Sequence, residues 1–532
     1  MSSNIFDRPV VLVVMDGVGV SATSKVNAVK DAHLETLDDL WQHYPSTLLH
    51  ASGHYVGIPD GDAGNSEVGH NALGSGQIIA QGPLRVQQAF DHGSPFQTET
   101  WKEAIKNVKD HNSTLHFIGI FSDGNVHSNL NHLFSMMSEA HKSGIEHIRI
   151  HPAFDGRDVS PHSAEKYIKM FDDFVASLGS PDYKIADGGG RMIIWADRYE
   201  NDWGVVENGW DIAVRGEGRK FKDPITAITT LNQEAAPSSD QYIPPFVIVD
   251  ATDQPIGTIQ KGDSVIFFNF RADRAIMTSV AFTYYDFPHF DRGDYSPDDI
   301  YYAGLTEYNS DTHVPAHTLI PPFEIQHTLS DLLQANHISQ YAISETIKYG
   351  HITYYFDGNH YLEQSDLITY EEVPSEENTA NIVTRPWMKS AEITDRLVDA
   401  IKSNKYRFLR INFPNGDMVG HFANLEPTII AMEAVDIALK RILEAVDEVG
   451  GMAIITADHG NAEELADAEG HPKTAHTTSP VPCIFYDRSA SSDFYSLKKG
   501  TDFGLANLAS TIAILLGLDP LSTWQPPLIQ VA

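Results

Sequence analysis

The feature that most restricts the fold is a repeated pattern in which a short apolar run is followed at once by polar side chains. The run Val10–Met15 is apolar throughout, so it predicts a strand buried on both faces, as in a parallel sheet. The pattern recurs at 115–120, 147–151, 265–270, 340–345, 407–412 and 452–456. We therefore predict an α/β fold with a ligand site at the carboxyl ends of its strands. Asp16, which follows the first run, is equally suited to cap the next helix.

The chain is too long for one compact core and too acidic for some classes of partner. Its 532 residues predict two domains. Its net charge of −35 disfavours nucleic acid and anionic membranes, so an anionic substrate must be held by clustered arginines or bound cations. A single cysteine, Cys483, excludes a disulfide framework and predicts a cytoplasmic location. No signal-peptide pattern is present and no apolar run approaches ~18 residues, so no membrane span is expected.

The glycine-rich stretch 61–70, GDAGNSEVGH, carries a candidate nucleophile. It has too few periodic apolar residues for an amphipathic helix and predicts a tight turn around Ser66. A serine on such a turn is suited to attack a substrate. Taken by itself, however, the stretch fits a surface turn without a catalytic role better. Glu67 and His70 are expected to support the turn, without a defined role.

Other stretches predict the elements between these sites. Apolar spacing predicts helices at 27–44 and 427–449. The stretches 74–84, which is rich in glycine, and 301–317, which is polar and irregular, are interpreted as linkers. Two linkers make a hinge between two domains plausible.

The polar residues near the strand ends include a set of typical metal donors. These candidates are Asp16, Ser66, Asp417, His421, Asp458, His459 and His476. Mixed Asp and His donors favour Zn²⁺ or Mn²⁺ over Mg²⁺ or Ca²⁺, and the size of the set suits two ions. Asp417 and His421 are four residues apart, so a helical turn would place them on one face. Each histidine taken alone fits a structural role better.

A second set consists of arginines, which are scarce in so acidic a chain. They are Arg157, Arg191, Arg198, Arg271 and Arg274. Arginine grips carboxylates and phosphates with two parallel hydrogen bonds, so the set predicts an anion site. The alternative is surface ion pairing with the abundant Asp and Glu.

Nine motifs together resemble the cofactor-independent phosphoglycerate mutase family, within the alkaline-phosphatase-like superfamily. They are VVMDGVG, GNSEVGH, FSDGNVHS, FDGRD, FNFRADR, ETIKYGH, NFPNGDMVGH, TADHGN and HPKTAHT. The resemblance implies two α/β domains. A phosphatase-like metal domain, 1–80 and 316–532, would be split in sequence by an inserted phosphotransferase domain, 81–315.

The resemblance also implies roles for individual residues. One metal site would be Asp417, His421 and His476, and the other Asp16, Ser66, Asp458 and His459. Ser66 would become phosphorylated, and Lys348 would stabilise the transferring phosphoryl group. The substrate would be held by His127, Arg157, Asp158, Arg191, Arg198, Arg271, Arg274 and Lys348, with Asp158 also the acid and base.

The implied reaction interconverts 3-phosphoglycerate and 2-phosphoglycerate in glycolysis, using two divalent ions. Mn²⁺ is expected, with Zn²⁺, Mg²⁺ or Co²⁺ as alternatives, and a monomer is expected. Two rival classes stay open. One is a phosphomonoesterase or phosphopentomutase built on the same metal core, and the other is an inactive relative that only binds ligands.

Overall fold

The chain forms two compact units in the computed structural model, which describes residues 5–197, 202–235, 237–309, 312–376, 382–467, 469–488 and 494–531. Unit 1 combines Met1–Gln81 with Phe323–Ala532, and unit 2 is Gly82–Pro322. Unit 1 is therefore assembled from two separate pieces of sequence. The phosphatase-like and phosphotransferase roles expected for these parts stay predictions.

The described residues form seventeen strands and sixteen α-helices. The strands are β1 (Val10–Met15), β2 (Ser46–Leu49), β3 (Leu115–Ile120), β4 (His147–Phe154), β5 (Asp182–Ile185), β6 (Asp187–Gly190), β7 (Arg219–Phe221), β8 (Phe246–Ile248), β9 (Ser264–Phe267), β10 (Tyr301–Gly304), β11 (Gln340–Glu345), β12 (Ile368–Val373), β13 (Phe408–Phe413), β14 (Met452–Thr456), β15 (Val481–Tyr486), β16 (Tyr495–Leu497) and β17 (Ile529–Val531). The helices are α1 (Ala28–Asp31), α2 (Glu35–His43), α3 (Ser66–Ser75), α4 (Gly82–Asp91), α5 (Glu99–His111), α6 (Leu130–Lys142), α7 (Ala164–Ser177), α8 (Trp203–Trp210), α9 (Pro224–Ala235), α10 (Ile276–Thr283), α11 (Leu329–Ala335), α12 (Thr346–Gly350), α13 (Ser390–Lys402), α14 (Asn415–Gly420), α15 (Leu425–Glu448) and α16 (Asn507–Leu515).

Unit 1 is built on a seven-stranded sheet in the order β12-β11-β13-β1-β14-β15-β2. The strands from β12 to β14 run parallel, and β15 and β2 add an antiparallel edge. β1 lies at the centre with every side chain buried, as its apolar sequence predicts. The carboxyl ends of β11, β13, β1 and β14 therefore lie along one edge of the sheet, which confirms the α/β prediction.

Unit 2 has its own sheet, in the order β10-β9-β3-β4-β6-β8-β7, with β5 also pairing with β4. The strands from β10 to β6 run parallel, so β9, β3, β4 and β6 present their carboxyl ends on one side. Tyr301–Gly304, expected to belong to a linker, instead forms edge strand β10 beside β9. The linker prediction was therefore wrong for these residues, because their apolar side chains complete the sheet.

The helix predicted over 27–44 is broken into α1 and α2. The break has a cause far away in sequence. The Asp436 carboxylate on α15 accepts hydrogen bonds from the backbone N–H groups of Thr36 (3.1 Å) and Leu37 (2.8 Å). These groups are the free donors at the start of α2, so Asp436 caps that helix. α15 itself matches the helix predicted at 427–449.

The stretch around Ser66 is a helix and not the predicted turn. α3 begins at Ser66, and the side chain of Asn65 caps it by accepting from the N–H of Val68 at 3.0 Å. Nearly all of its residues are buried, so it requires no amphipathic period. Its small residues permit close packing. A Cβ added at Gly69 would lie only 2.6 Å from the Asp458 carbonyl oxygen.

No helix among the described residues is both long and apolar enough to cross a membrane. The cytoplasmic location expected from the single cysteine stays a prediction.

Candidate active site

The loops after four neighbouring strands of unit 1 bring charged side chains together. Asp16 follows β1, Asp458 and His459 follow β14, and Asp417 lies on α14 after β13. Lys348 lies on α12 after β11. Because these strands are parallel neighbours, the side chains meet at one edge of the sheet.

Ser66 lies among these groups at the start of α3. Its Oγ is 3.0 Å from His459 Nε2 and 3.3 Å from Asp16 Oδ1, and it accepts a hydrogen bond from Lys348. The Lys348 ammonium also contacts Asp16 (3.1 Å) and Asp417 (2.7 Å). The N-terminal end of a helix favours negative charge, so the start of α3 suits a phosphoryl group on this serine.

His421 and His476 point their Nε2 atoms at one carboxylate oxygen. Nδ1 of His421 lies 2.6 Å from the Thr474 carbonyl, and Nδ1 of His476 lies 2.8 Å from that of Gly64. Each Nδ1 therefore donates, so a neutral ring at either position carries its lone pair on Nε2. These Nε2 atoms are 3.1 and 2.9 Å from Asp417 Oδ1. Rings fixed through one nitrogen, with the other facing a carboxylate, are typical of metal ligands.

The cluster around Ser66 carries a strongly negative local charge. Asp16, Asp417 and Asp458 are all buried. Burial alone lowers the pKa of Lys348, but the nearby carboxylates outweigh it and raise the pKa above the ordinary lysine value. Burial likewise opposes protonation of His459, but Asp458 and Asp16 raise the pKa of His459 to about 9. Burial disfavours ionised Asp417, but the Lys348 ammonium outweighs burial and holds the pKa of that carboxyl well below its ordinary value.

These residues fit divalent metal ions. Within the described part of the chain, Asp417 Oδ1 and Asp458 Oδ2 are buried without a hydrogen bond, as expected of oxygens that ligate cations. Three groups of donor atoms each lie within 4.8 Å of one another. They are Asp417, His421 and His476; Asp16, Asp417 and His459; and Asp16, His70 and Asp458. The first group is one of the two predicted ligand sets.

Unit 2 carries a second polar cluster, built around Arg191 after β6. Arg191 is fully buried and donates to Asp155 at 2.7 Å and to Asp158. His127 Nε2 lies 3.8 Å from Asp158, and its Nδ1 lies 3.2 Å from Asp273. Among the described residues, Nε and Nη2 of Arg191 are buried and make no hydrogen bond. This half of the guanidinium is thus suited to receive an anionic ligand.

The remaining predicted arginines differ in their surroundings. Arg157 and Arg271 are exposed, whereas Arg274 is buried and donates to the Ala196 carbonyl. Arg198 lies outside the described residues. Of the predicted anion set, Arg191, His127 and Asp158 lie together, and Arg271 lies 3.7 Å from Asp273, which also contacts His127. The anion-binding role of the set stays a prediction.

Several polar residues that organise these clusters were missed by the sequence analysis. Asp155 accepts from Arg191, from Ser122 at 2.6 Å and from the backbone N–H groups of Arg157 and Asp158. Its position directly after an apolar run was an available signal. In unit 1, buried Glu463 accepts from the backbone of Gly19 at 2.9 Å. No local pattern marks that long-range contact.

Comparisons with known proteins identify the family of the chain. The family model described as the Metalloenzyme superfamily matches residues 8–520. The chain is 42% identical to a probable 2,3-bisphosphoglycerate-independent phosphoglycerate mutase of Leptospira interrogans, covering 98% of this chain and 97% of that protein. It is also 42% identical to the 2,3-bisphosphoglycerate-independent phosphoglycerate mutase of Trypanosoma brucei brucei, covering 99% and 98%.

A solved structure is similar over the same extent. It is the phosphoglycerate mutase of Leishmania mexicana at low cobalt concentration, with 39% identity, a TM-score of 0.63, and coverage of 99% of this chain and 98% of that chain. Membership of a metalloenzyme superfamily supports metal binding by this chain. The chain therefore belongs to the 2,3-bisphosphoglycerate-independent phosphoglycerate mutase family of isomerases.

Proposed function

We propose that this chain interconverts 3-phosphoglycerate and 2-phosphoglycerate through a phosphoserine on Ser66, using two divalent ions and no bisphosphoglycerate. The observation that carries the proposal is the environment of the Ser66 hydroxyl, which lies between His459 Nε2 (3.0 Å), Asp16 Oδ1 (3.3 Å) and the Lys348 ammonium. The names of its relatives support the substrate and the reaction.

The ions are assigned to residues by their donor atoms. The proposed ligands are Asp417, His421 and His476 for one ion, and Asp16, Ser66, Asp458 and His459 for the other. Mixed carboxylate and imidazole donors suit Mn²⁺, which we favour over Zn²⁺, Mg²⁺ and Co²⁺. Ions bound there supply positive charge that lowers the pKa of a serine hydroxyl and offsets charge on phosphoryl oxygens.

The phosphoryl group moves twice. Deprotonated Ser66 Oγ bonds to phosphorus while the bond from phosphorus to the 3-oxygen of glycerate breaks, and Asp158 protonates that oxygen. The 2-hydroxyl of glycerate then returns a proton to Asp158 and attacks the phosphoserine, which regenerates Ser66. The Lys348 ammonium beside Oγ balances the negative charge in both steps.

Residues of unit 2 are proposed to bind glycerate. Arg191 offers two buried donor nitrogens that make no hydrogen bond within the described residues, which is the strongest support for an anion there. His127 and the arginines at positions 157, 198, 271 and 274 are proposed to complete the grip. Every proposed role is filled from a single chain, so we propose a monomer as the active form.

The test is a mutase assay on 3-phosphoglycerate without added bisphosphoglycerate, with and without EDTA. We expect activity that EDTA abolishes and Mn²⁺ restores. Ser66→Ala is expected to abolish turnover, whereas the control Ser75→Ala, at a buried serine of the same helix, is expected to retain it. Mass spectrometry of acid-quenched enzyme is expected to find phosphate on Ser66.

Two outcomes would overturn the proposal. Substantial mutase turnover by Ser66→Ala would exclude this serine as the nucleophile. Faster turnover of p-nitrophenyl phosphate or ribose phosphate than of 3-phosphoglycerate would favour a phosphomonoesterase or a phosphopentomutase.

A further inference from the structure

Two buried residues outside the proposed ligand sets, Asn412 and His70, lie between Asp16 and Asp458. Asn412, on β13, donates from Nδ2 to Asp16 Oδ2 at 2.8 Å and lies 3.2 Å from His70 Nε2. His70, on α3, places Nδ1 2.8 Å from the Ser66 carbonyl and 3.3 Å from Asp458 Oδ2. All of these side chains are buried.

The donors and acceptors along this connection have a fixed order. A carboxylate only accepts, so the Asn412 group that faces Asp16 is its NH₂ group. The second N–H of that group points to His70 Nε2, which must therefore carry a lone pair. Neutral His70 then bears its hydrogen on Nδ1 and donates it to the Ser66 carbonyl, while Asp458 Oδ2 lies 3.3 Å from the same nitrogen, in electrostatic contact without a hydrogen bond.

This order decides whether His70 is itself a ligand. Asp16, His70 and Asp458 form one of the three donor groups that are close enough to hold an ion. However, Nε2 of His70 accepts from Asn412 and Nδ1 donates, so no lone pair is left for a cation. His70 is thus placed to orient carboxylates and not to bind metal.

We propose that His70 and Asn412 are positioning residues that hold Asp16 and Asp458 in the geometry needed for the ion assigned to Ser66. The inference rests on the proposed function, because it concerns one of the proposed ion sites. His70 acts on Asp458 and on the backbone of the nucleophile, while Asn412 acts on Asp16. Hydrogen-bonded supports of this kind typically contribute about 10- to 100-fold to metal affinity.

The main test measures Mn²⁺ affinity by electron paramagnetic resonance titration of the whole protein. His70→Leu is expected to weaken one of two ions about 10- to 100-fold and to leave the other unchanged. His70→Asn places an N–H close to the Nδ1 position and is expected to retain most of the affinity. His70→Gln places the N–H group near the Nε2 position instead and is expected to lose affinity as His70→Leu does. His132→Leu, at a buried histidine of unit 2, is the control and should bind both ions normally.

Kinetic measurements and a double variant distinguish a positioning role of His70 from a general disruption of the fold. Saturating Mn²⁺ is expected to restore most of the kcat of His70→Leu, with KM for 3-phosphoglycerate unchanged. The double variant of His70→Leu with Asn412→Leu should lose little more affinity than the weaker single variant, because both changes break one connection.

The outcomes are distinguishable. If wild-type protein binds no Mn²⁺ and shows no mutase activity, the proposed function fails. If the wild type binds two ions and His70→Leu binds both equally well, only the positioning role fails. Normal Mn²⁺ affinity in His70→Gln but not in His70→Asn would also overturn the positioning role, because the essential hydrogen would then lie on Nε2 and not on Nδ1.

Discussion

The close approach of α3 to the loop after β14 leads to a sharp prediction for Gly69→Ala. A Cβ at this position would lie 2.6 Å from the carbonyl oxygen and 2.9 Å from the Cβ of Asp458, whereas ordinary contacts begin near 3.4 Å. The nearest atom is backbone, so a flexible side chain cannot simply move aside. Relief therefore requires the helix and the Asp458 backbone to separate by 0.8 Å, the difference between 3.4 and 2.6 Å.

A displacement of this size exceeds what the site tolerates. Productive sites hold their groups within about 0.5 Å, and a misplacement near 1 Å costs about 100-fold in rate. We therefore expect Gly69→Ala to lower kcat about 100-fold and to weaken binding of the ion that is proposed to contact Asp458. Overpacking should also reduce the free energy of unfolding by about 1–3 kcal/mol.

The assay combines kcat, Mn²⁺ titration and thermal unfolding, and Gly350→Ala is a matched control. Gly350 ends α12, two residues after Lys348, and a Cβ there would meet no heavy atom within 4 Å. Alanine at this position should leave kcat intact and should not lower the unfolding temperature. Wild-type kcat and Mn²⁺ affinity in folded Gly69→Ala would refute the reasoning.

Three further predictions concern charge and protonation. Asp155→Asn removes the carboxylate that holds Arg191 and the turn beside it. KM for phosphoglycerate should therefore rise roughly 10- to 100-fold while Mn²⁺ affinity stays unchanged. A variant with the KM of the wild type would contradict this. Because the pKa of His459 is about 9, Mn²⁺ binding at pH 7 should release protons and tighten as pH rises toward 9, as calorimetry in buffers of different ionisation enthalpy can measure. Burial lowers the pKa of His132 to about 4. The contribution of neutral His132 to the free energy of unfolding is therefore complete above pH 6.5 and is lost as pH falls toward 4, by at most about 3 kcal/mol. His132→Gln keeps a donor toward Gln87 but does not titrate. Calorimetry at pH 7.5 and pH 5 should therefore show a smaller loss of stability in this variant than in the wild type.

The strand ends could be predicted from sequence because they depend on local order. Val10–Met15 is apolar at every position, so burial on both faces followed directly, and Asp16 then had to lie at a carboxyl end. The same reasoning located Asp417, Asp458 and His459 along one edge of a sheet. The ligand roles of these residues stay predictions, since proximity alone does not identify a bound ion.

What could not be predicted depends on partners distant in the chain. Asp436 divides the helix expected at 27–44 by capping α2 from about 400 positions away. α3 escaped detection because burial on all sides removes the amphipathic period. Asn412 and Arg410 did leave a trace, since polar residues at alternate positions of an otherwise apolar strand indicate a buried polar network.

The discontinuous sequence of unit 1 dictates the order in which the protein folds during synthesis. β1 pairs with β13 and β14, and both are translated after the whole of unit 2. At about 5–20 residues per second, the ribosome needs tens of seconds to supply these partners. Over that interval a fully apolar strand and the nascent segment bearing Ser66 have no sheet to join, whereas every strand of the unit 2 sheet has already been translated. Chaperone dependence and aggregation during expression are therefore expected to concentrate in the first eighty or so residues.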